Sequence, residues 1–497
     1  MKLSRSTLFE IAKYTMGCGL GLLLKTGLNA FFTHFELALW CSYLIVQFII
    51  LVSSFLYHFK FTFGRSFDSL KNVWQSFQIY VPSVIVFKAL DYLLVICFAE
   101  YLKSVLQTRT NISIESQQII NTVSILFVSC LIFAIRYFVY KNIFHKRTQA
   151  ELDYYTGPVK NVYTGYSSTQ EIASNAASGG FISTMLIGLL KENAIQGALI
   201  SRFEFKNGKP VASGYIATTP AEITASQGSI YMSFPLLSKQ TMEAIRVFDG
   251  KLAIVALPCQ CNALRKIMER DSAIREKISL VIGLFCGHTS KQDLLVRVLK
   301  KKKIAMEKLE NYRFRRGLGR GMAVATMKDG LEKTWPTAFF NLYQNLFIES
   351  APQCLSCFDH FAENADVSCG DIWTWEHRKD TIKHSVFCSR TSIGDEYLRK
   401  VIDDGALVVT PLTQEQLLKS NIRAAIYHKA IKARAEIATK YNITINVPVQ
   451  AKPSRWNERL AAKIVFRFQT MPPEKALSMN RRHLKFWLYI FKGLTNF

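Results

Sequence analysis

The chain has 497 residues and a mean hydropathy of +0.11, which is high for a wholly soluble protein and low for a wholly membrane-embedded one. Its 62 Lys and Arg against 37 Asp and Glu give a formal net charge of +25. That charge suits anionic lipid as well as nucleic acid, but the sequence has no zinc-finger spacing, RNP motif or helix-turn-helix signal. We therefore expect a lipid bilayer as a partner and no nucleic acid. Eleven scattered cysteines favour a reducing compartment over a disulfide framework.

The first predicted region is an all-α, four-helix transmembrane domain over residues 1–147. Its four apolar stretches are each close to the roughly 20 residues that a helix needs to cross a bilayer. A cleavable signal peptide is not expected, because three more stretches follow the first and no small-residue cleavage site is present. The stretches cover residues 8–32, 35–58, 77–101 and 118–140.

Basic residues flank these stretches mainly on one side. Because positively charged loops stay in the cytoplasm, both termini are predicted to be cytoplasmic, in a multi-pass protein of the cell inner membrane. The flanking residues are Lys2, Arg5, Lys60, Arg65, Lys71, Lys141, Lys146 and Arg147. The two opposite loops carry fewer, among them Lys103 and Arg109.

Four ionisable residues lie inside the stretches, where charge is costly. They are Lys25, Lys88, Asp91 and Arg136. Lys88 and Asp91 are three residues apart, so they share a helix face and can pair. Either these groups form a structural ion pair with snorkelling ends, or they line a polar site for a phosphate-bearing lipid.

Two motifs carry a resemblance for this region. The segment 57–63 reads YHFKFTF, and the segment 136–140 reads RYFVY. With the four-stretch layout, they resemble the GtrA-like family. The resemblance implies a link to cell-surface polysaccharide biosynthesis, with a polyprenyl-phosphate lipid as a partner whose attached sugar is moved across the membrane.

Residues 148–410 are predicted to form a cytoplasmic α/β domain. Helical patterns cover residues 171–192, 238–247 and 293–300, and strand patterns cover residues 197–200, 251–257, 278–285 and 323–327. Strands that alternate with helices indicate parallel strands, and ligands of such sheets bind beyond the carboxyl ends of the strands.

Four cysteines are the candidate metal ligands. Cys259 and Cys286 each follow a β-branched apolar run, at a predicted strand end, and Cys354 and Cys357 form a C-x-x-C pair. Four thiolates suit an iron–sulfur cluster or a structural zinc ion, and the spacing leaves both open. Cys261 and Cys369 are candidate substitutes.

Two glycine-containing loops are candidate phosphate sites, and the alternative for each is a structural turn. Ser178, Gly179 and Gly180 open a helical pattern, and Gly228 and Ser229 form a second loop of the same kind. The segment 315–321 reads RRGLGRG, which indicates either an anion-binding loop or a basic hairpin turn.

These motifs occur together, in order, between about residues 170 and 400. Together with the segment CLSCFDHFAENADVSCGDIW (354–373), they resemble the coenzyme F420 hydrogenase/dehydrogenase beta-subunit family. The resemblance implies a 4Fe–4S cluster on Cys259, Cys286, Cys354 and Cys357, with FAD near Ser178, Gly179, Gly180, Gly228 and Ser229. It further implies coenzyme F420 or another acceptor, and an external electron donor such as ferredoxin. Asp359, Glu363, Asp366, Gly370 and Asp371 belong to the same signature, without assigned roles.

Two departures from the family pattern affect these expectations. The ferredoxin-like cysteine array that many relatives carry is replaced by the apolar stretches, and Ile230 stands where relatives often have Lys. The loss of that charge puts a flavin or deazaflavin phosphate contact at Ile230 in doubt.

The remaining residues, 411–497, are predicted to form a helical, basic, amphipathic tail. From Lys452 onward, basic and aromatic residues are interleaved, as in helices that lie on a membrane surface. The alternative is a tail that packs against the α/β domain and leaves its basic face in water.

Two functions follow from these features. The first is a membrane-tethered iron–sulfur flavoprotein oxidoreductase linked to polysaccharide or lipid-linked sugar metabolism, whose substrate and catalytic residues the sequence does not identify. The second is a polyprenyl-phosphate-sugar translocase with a redox-silent cytoplasmic scaffold.

Overall fold

The computed structural model describes residues 5–34, 39–63, 70–107, 114–144, 147–317, 321–374 and 376–495. The chain divides into two compact units, residues 1–147 and residues 148–497. Several residues named above lie outside the described parts, among them Lys2, Arg65, Arg109 and Lys146, with the middle of the segment 315–321.

The described part of the first unit is helical. Its helices are α1 (Arg5–His34), α2 (Leu39–Tyr57), α3 (Leu70–Gln107) and α4 (Ile114–Phe144). Two segments of the described residues, Leu44–Thr62 and Ser76–Leu102, are long and apolar enough to cross a membrane. Length and composition of this kind also occur in other proteins, so the four-span topology stays a prediction.

Two of the charges inside the apolar stretches, Lys88 and Asp91, pair differently from the sequence-based expectation. Lys88 donates to Oε1 of Gln47 on α2 at 2.9 Å, and Asp91 accepts from the Ser129 hydroxyl on α4 at 3.4 Å. The Lys88–Asp91 pair is therefore replaced by contacts between helices, because both side chains reach partners on neighbouring helices.

The second unit is a mixed α/β fold. Its strands are β1 (Asn161–Ser167), β2 (Gly197–Lys206), β3 (Lys209–Ala217), β4 (Leu252–Ala256), β5 (Ile278–Leu284), β6 (Leu309–Arg316), β7 (Met322–Met327), β8 (Glu332–Pro336), β9 (Val367–Asp371), β10 (Ser385–Ser389) and β11 (Leu407–Leu412). Eight of the described strands form one sheet, in the order β11-β1-β10-β9-β5-β4-β2-β3, and β6-β7-β8 form a second sheet.

Helices cover these sheets and form the tail. Those before β11 are α5 (Gln149–Thr156), α6 (Gln170–Asn175), α7 (Phe181–Lys191), α8 (Pro220–Ala225), α9 (Lys239–Val247), α10 (Pro258–Arg270), α11 (Ser272–Lys277), α12 (Gln292–Lys301), α13 (Ala338–Gln344) and α14 (Ser392–Asp403). Those after it are α15 (Gln414–Ser420), α16 (Ile422–Lys429), α17 (Ile431–Ala438), α18 (Trp456–Gln469), α19 (Pro473–Ser478) and α20 (Arg481–Leu494).

The large sheet is parallel only in its centre. Strands β2, β4, β5 and β9 run parallel, whereas β3, β10 and β11 each pair antiparallel with their neighbours. The central strands β4 and β5 are apolar and almost wholly buried, as expected for strands covered on both faces. The expectation of parallel strands is thus correct for the centre and wrong for the edges.

Two local expectations also change. The helical pattern over residues 171–192 is divided into α6 and α7, because Gly180 has a φ of +82°, which a continuous helix cannot contain. The segment 315–321 joins β6 to the antiparallel strand β7, which agrees with the hairpin alternative.

The tail packs into the α/β unit. Ile464, Phe468, Leu484 and Leu488 share a core with α12 and the small sheet. Tyr427, Ile431 and Phe466 share another core with Leu355, beside the C-x-x-C pair. The tail therefore takes part in the core, while Trp456, Phe486 and Tyr489 remain exposed.

Candidate functional site

The strand directions bring the predicted site residues to one edge of the large sheet. Strand β1 is antiparallel to β10, which is antiparallel to β9, so β1 runs in the same direction as β9, β5 and β4. The carboxyl ends of these strands, and the start of β10, therefore share an edge. Cys259 and Cys286 follow β4 and β5 at this edge, and the loop of Ser178 and Gly179 adjoins β1 and β10.

The loop after β5 lies alongside the C-x-x-C segment. The backbone N–H of Cys286 donates to the His360 carbonyl at 3.0 Å, and that of Ala351 donates to the Thr289 carbonyl at 2.9 Å. Nδ1 of His360 is in turn 3.0 Å from the Cys286 carbonyl oxygen. These bonds hold the segment of Cys354 and Cys357 against the segment of Cys286, although the two are about seventy residues apart in sequence.

The four sulfurs act on one another electrostatically. Burial raises the pKa of Cys286 well above its usual range, and the neighbouring Cys354, Cys357 and Cys259 raise it further. Burial likewise raises the pKa of Cys357 to about 12, against a lowering hydrogen bond to Asp359. Thiolates are the form that binds metal, so four of them at one place need a cationic centre to compensate their mutual repulsion.

The donor set fits a 4Fe–4S cluster by its chemistry, because its four donors are soft sulfurs, and Cys354, Cys357 and Cys259 all lie near enough to raise the pKa of Cys286. A closed tetrahedral zinc site would bring its sulfurs to roughly 3.8 Å from one another. Within the described residues, the cysteines do not form a group of three whose sulfurs all lie within 4.8 Å of one another. The spacing is thus wider than zinc requires, and the ligand roles of Cys259, Cys286, Cys354 and Cys357 stay a prediction.

Cys354 also has polar neighbours suited to a cluster ligand. Its sulfur accepts the backbone N–H of Thr289 at 3.4 Å and lies 3.5 Å from the Thr289 hydroxyl. Hydrogen bonds to ligand sulfurs are one way in which a protein sets the potential of such a centre.

The two candidate substitutes lie in apolar cores. Cys261 is fully buried on α10 with its sulfur 3.7 Å from the Ala256 carbonyl oxygen. Cys369 is a buried residue of β9, and its electrostatic partners are Cys388 and Asp371. Neither is among the groups that most affect Cys286.

Arg434 on α17 is a site residue that the sequence reasoning missed. Its side chain is 1% exposed. Its guanidinium donates to the carbonyl oxygens of Leu355 at 2.7 Å, Cys357 at 2.7 Å and His428 at 2.8 Å. A planar fork of donors thus holds the backbone of the C-x-x-C loop from the tail. No local motif marks Arg434, because its partners in that loop lie about 80 residues earlier in the chain.

The carboxylates of the signature mainly fix loops. Asp359 accepts the backbone N–H groups of Phe361 at 2.9 Å and Glu363 at 2.8 Å. Glu363 forms an ion pair with the buried Lys429 at 2.6 Å. Asp366 accepts the Val281 N–H at 2.8 Å and pairs with Arg265 at 2.9 Å. These contacts give the group a role in orienting the cysteine loops.

The first glycine loop has a packing reason for its composition. A side chain at Gly179 would meet the Gly165 carbonyl oxygen at 2.5 Å, and Gly180 has a positive φ. The Ser178 hydroxyl donates to the His384 carbonyl at 2.7 Å, and the Gly179 N–H donates to the Ser385 hydroxyl at 3.0 Å. Close packing against β1 and β10 thus explains Gly179 without a cofactor.

Gly228 in the second loop has a φ of +138° and open space where a side chain would lie, so a ligand could approach its backbone. Gln227 connects this loop to α6, the helix that precedes the first glycine loop, since its side-chain amide donates to the Ile172 carbonyl at 3.1 Å.

Cations surround these loops, and of these only Arg315 lies in a segment that the sequence pointed to. Arg313 donates to the Gln227 carbonyl at 3.1 Å, Arg315 pairs with Asp371, and Lys383 donates to the Ala176 carbonyl. Burial lowers the pKa of Lys383 to about 8, and Arg315 and Arg313 lower it as well. This cationic lining can hold the phosphates of a dinucleotide such as FAD, even though Ile230 lacks the family charge.

Comparison with known proteins identifies the protein family that residues 162–415 resemble. Residues 162–240 match the N-terminal model of the coenzyme F420 hydrogenase/dehydrogenase beta subunit, and residues 249–415 match the C-terminal model of the same subunit. Coenzyme F420 hydrogenase subunit beta of Methanothermobacter thermautotrophicus is 25% identical over 303 residues, which are 59% of this chain and 99% of that protein. Coenzyme F420-dependent sulfite reductase of Methanocaldococcus jannaschii is 24% identical over 312 residues, which are 56% of this chain and 45% of that protein.

A solved F420-reducing NiFe hydrogenase complex from Methanosarcina barkeri is also similar, with a TM-score of 0.47 and 21% identity over 59% of this chain and 98% of that one. The chain thus carries the two beta-subunit domains of this family within residues 162–415, and the similarity implies an oxidoreductase with iron–sulfur and FAD cofactors. Residues 1–161 lie outside both matches, so the GtrA-like resemblance and the polysaccharide link gain no support from them.

Proposed function

We propose that the protein is a membrane-tethered iron–sulfur flavoprotein oxidoreductase. The observation that carries the proposal is the meeting of Cys259 and Cys286, from two adjacent parallel strand ends, with the loop of Cys354 and Cys357. The first glycine loop, with Ser178 and Gly179, adjoins the start of β10, two strands from β5 in the sheet. At about 4.8 Å per strand, that is roughly 10 Å along the sheet edge.

The two cofactors would supply one-electron and two-electron chemistry, so that a one-electron donor could drive a two-electron reduction. This chain's own residues would hold and orient them. Arg434 fixes the C-x-x-C backbone, Thr289 donates to the Cys354 sulfur, and Arg313, Arg315 and Lys383 provide positive charge beside the glycine loops.

The electron partners follow from the relatives' names. Coenzyme F420 appears in several of them, so a deazaflavin or another hydride acceptor is the first candidate substrate for this site. We propose an external one-electron donor of the ferredoxin type, because the chain has no second cysteine array that could relay electrons to the cluster.

Membrane attachment rests on the first unit. Its apolar side chains face outward, including Ile85 (63% exposed) and Leu93 (57% exposed) on α3. An outward apolar surface of this kind needs a lipid or protein cover. With the resemblance of 57–63 and 136–140 to the GtrA-like family, it supports a substrate near the bilayer, such as a lipid-linked sugar.

The proposal is tested on the full chain purified anaerobically, by iron, sulfide and flavin analysis with absorbance spectra. We expect about four iron atoms and one flavin per chain. The variant Cys354→Ser/Cys357→Ser should lose the iron absorbance, whereas Cys97→Ser in the first unit should keep it. A colourless, iron-free wild type would overturn the proposal.

The second candidate is a translocase for polyprenyl-phosphate-linked sugar with a redox-silent second unit. It is favoured by Lys88, which is partly exposed inside α3 and bonded only to the neutral Gln47 among the described residues. If Lys88→Ala abolished surface polysaccharide while Cys354→Ser left it normal, the translocase would be preferred to the oxidoreductase.

A further inference from the structure

A cluster of two histidines and one aspartate lies in the loop between β9 and β10, apart from the cysteine set. A single helical turn over Glu376–Lys379 brings His377 and Asp380 to one side. His384 stands immediately before β10, so the chain folds back and meets them. None of the three belongs to the motifs discussed above.

The three side chains converge on one point. Nδ1 of His377 lies 2.7 Å from Oδ2 of Asp380, and Nδ1 of His384 lies 3.1 Å from the same oxygen. The imidazole centroids are 4.6 Å apart with an interplanar angle of 40°. Within the part of the chain that the structure describes, this is the one group of three such residues whose ligand atoms all lie within 4.8 Å of one another.

Hydrogen bonding alone does not account for this geometry. Nδ1 of His384 is buried and lies within 3.1 Å of the carboxylate, but it lacks the alignment of a hydrogen bond to that oxygen. A ring nitrogen this close to a carboxylate oxygen, without the alignment of a hydrogen bond to it, is an arrangement that a bound cation completes.

We infer that His377, Asp380 and His384 form a binding site for a divalent transition-metal ion such as Zn²⁺. Two imidazoles and one carboxylate make up a three-ligand set that zinc and non-haem iron proteins use, and it leaves a coordination position for water or another ligand.

The site would fix the loop that supports the first glycine loop. The His384 carbonyl accepts the Ser178 hydroxyl, and the adjacent Ser385 hydroxyl accepts the Gly179 N–H. Tyr166 at the end of β1 contacts the His384 ring edge-on at 5.0 Å between centroids. A metal bound at His384 therefore orders the segment on which Ser178 and Gly179 rest.

The test measures zinc retained by the full chain after anaerobic dialysis, in wild type, His377→Ala, His384→Ala and Asp380→Asn. His483→Ala, which alters a histidine of α20, is the matched control, and zinc held by cysteines is common to all five proteins. We expect wild type and the control to retain about one zinc more per chain than the others. Affinity in the variants should fall by at least the ~10–100-fold that loss of an outer-shell partner costs.

Limited trypsin cleavage gives a second readout that a purely hydrogen-bonded cluster would not change. Arg378 and Lys379 lie between two of the ligands and are trypsin sites. Zn²⁺ should slow cleavage there in wild type and in the control but not in His384→Ala. Equal zinc retention in wild type and the three site variants, or cleavage unaffected by zinc in wild type, would overturn the inference. Neither readout depends on the iron–sulfur centre.

Discussion

Arg434 shows how the tail takes part in the site. It is a buried cation whose partners include backbone carbonyl oxygens around the C-x-x-C pair and the ring of Tyr427 at 4.6 Å. Hydrogen bonds from both terminal nitrogens of Arg434 offset the cost of burying its charge, so the loop and the arginine stabilise each other. Because Arg434 lies beyond the matched family segments, this chain supplies the contact from its own tail.

We predict that Arg434→Lys lowers the free energy of unfolding by about 1–3 kcal/mol and lowers the iron content per chain. Lysine keeps the charge but cannot reach three carbonyl oxygens with a planar fork. Iron analysis and urea unfolding measure the two effects. The matched control is Arg467→Lys. Arg467 lies on α18 and stacks on Trp487 of α20, so this variant should keep its iron. Full iron retention in Arg434→Lys would contradict the role of Arg434 in holding the C-x-x-C loop.

At the scale of single residues, the sequence identifies the four cysteines but not the residues that hold the site in place. Cys259 and Cys286 could be selected because each follows a buried apolar run, and Cys354 and Cys357 because of their spacing. Arg434, Thr289 and Lys383 could not, since each contacts a part of the site that is distant in sequence. Gly179 was selected as a cofactor residue, yet its lack of a side chain is already required by the Gly165 carbonyl.

At the scale of elements, Asp395 at the start of α14 joins three parts of the fold. Its carboxylate accepts from Asn161 on β1 at 2.7 Å and from Ser389 on β10 at 2.6 Å, and it pairs with Arg399 at 2.8 Å. Burial alone would raise the pKa of Asp395, but these hydrogen bonds and the Arg399 charge outweigh it, so the pKa lies below its usual value.

We therefore predict a pH-dependent loss of stability in Asp395→Asn. A carboxyl whose pKa is depressed in the folded state stabilises the fold at pH values above its unfolded pKa of about 3.9. This contribution disappears as the pH falls through the pKa of the folded state. The variant should unfold at lower urea than wild type at about pH 7, by about 1 kcal/mol, with the gap closing below about pH 4. The exposed Asp249→Asn is the control. A stability difference between wild type and Asp395→Asn that is unchanged at low pH would contradict the role of the Asp395 charge.

Elements are predictable where local pattern and tertiary role agree. Strands β4 and β5 stand out as β-branched runs because both faces of each are buried. Strands β1, β9 and β10 are not evident in the same way, since all three contain Ser, β1 and β9 also contain Gly, and their pairing partners lie far along the chain. The mixed topology of the sheet follows from these strands, which is why the sequence suggested a parallel one.

At the scale of the whole molecule, the described helices before Thr148 agree with the four apolar stretches, while their relation to a membrane stays a prediction. The sequence offered packing of the tail against the α/β domain only as an alternative to a membrane surface, because the tail's apolar residues are equally suited to lipid and to α12. The exposed Trp456, Phe486 and Tyr489 keep a membrane-surface role open to experiment.

We predict that both termini lie on the cytoplasmic side, because four spans return the chain to its starting side and the basic flanks stay inside. Protease digestion of terminal tags should be complete in inside-out vesicles and absent in intact cells. A tag inserted within residues 108–113 should show the opposite pattern and serves as the internal control. Termini on opposite sides, or release of the protein by alkaline carbonate, would contradict the topology.

The central claim is that four sulfurs hold one cluster on the same sheet edge as a flavin. An anaerobic reductive titration of the full chain, followed by absorbance, tests it most directly. The account predicts an uptake of about three electrons per chain, two by the flavin and one by the cluster, and loss of the single-electron step in Cys286→Ser. Uptake of two electrons or fewer by wild type, or an unchanged titration of Cys286→Ser, would contradict it.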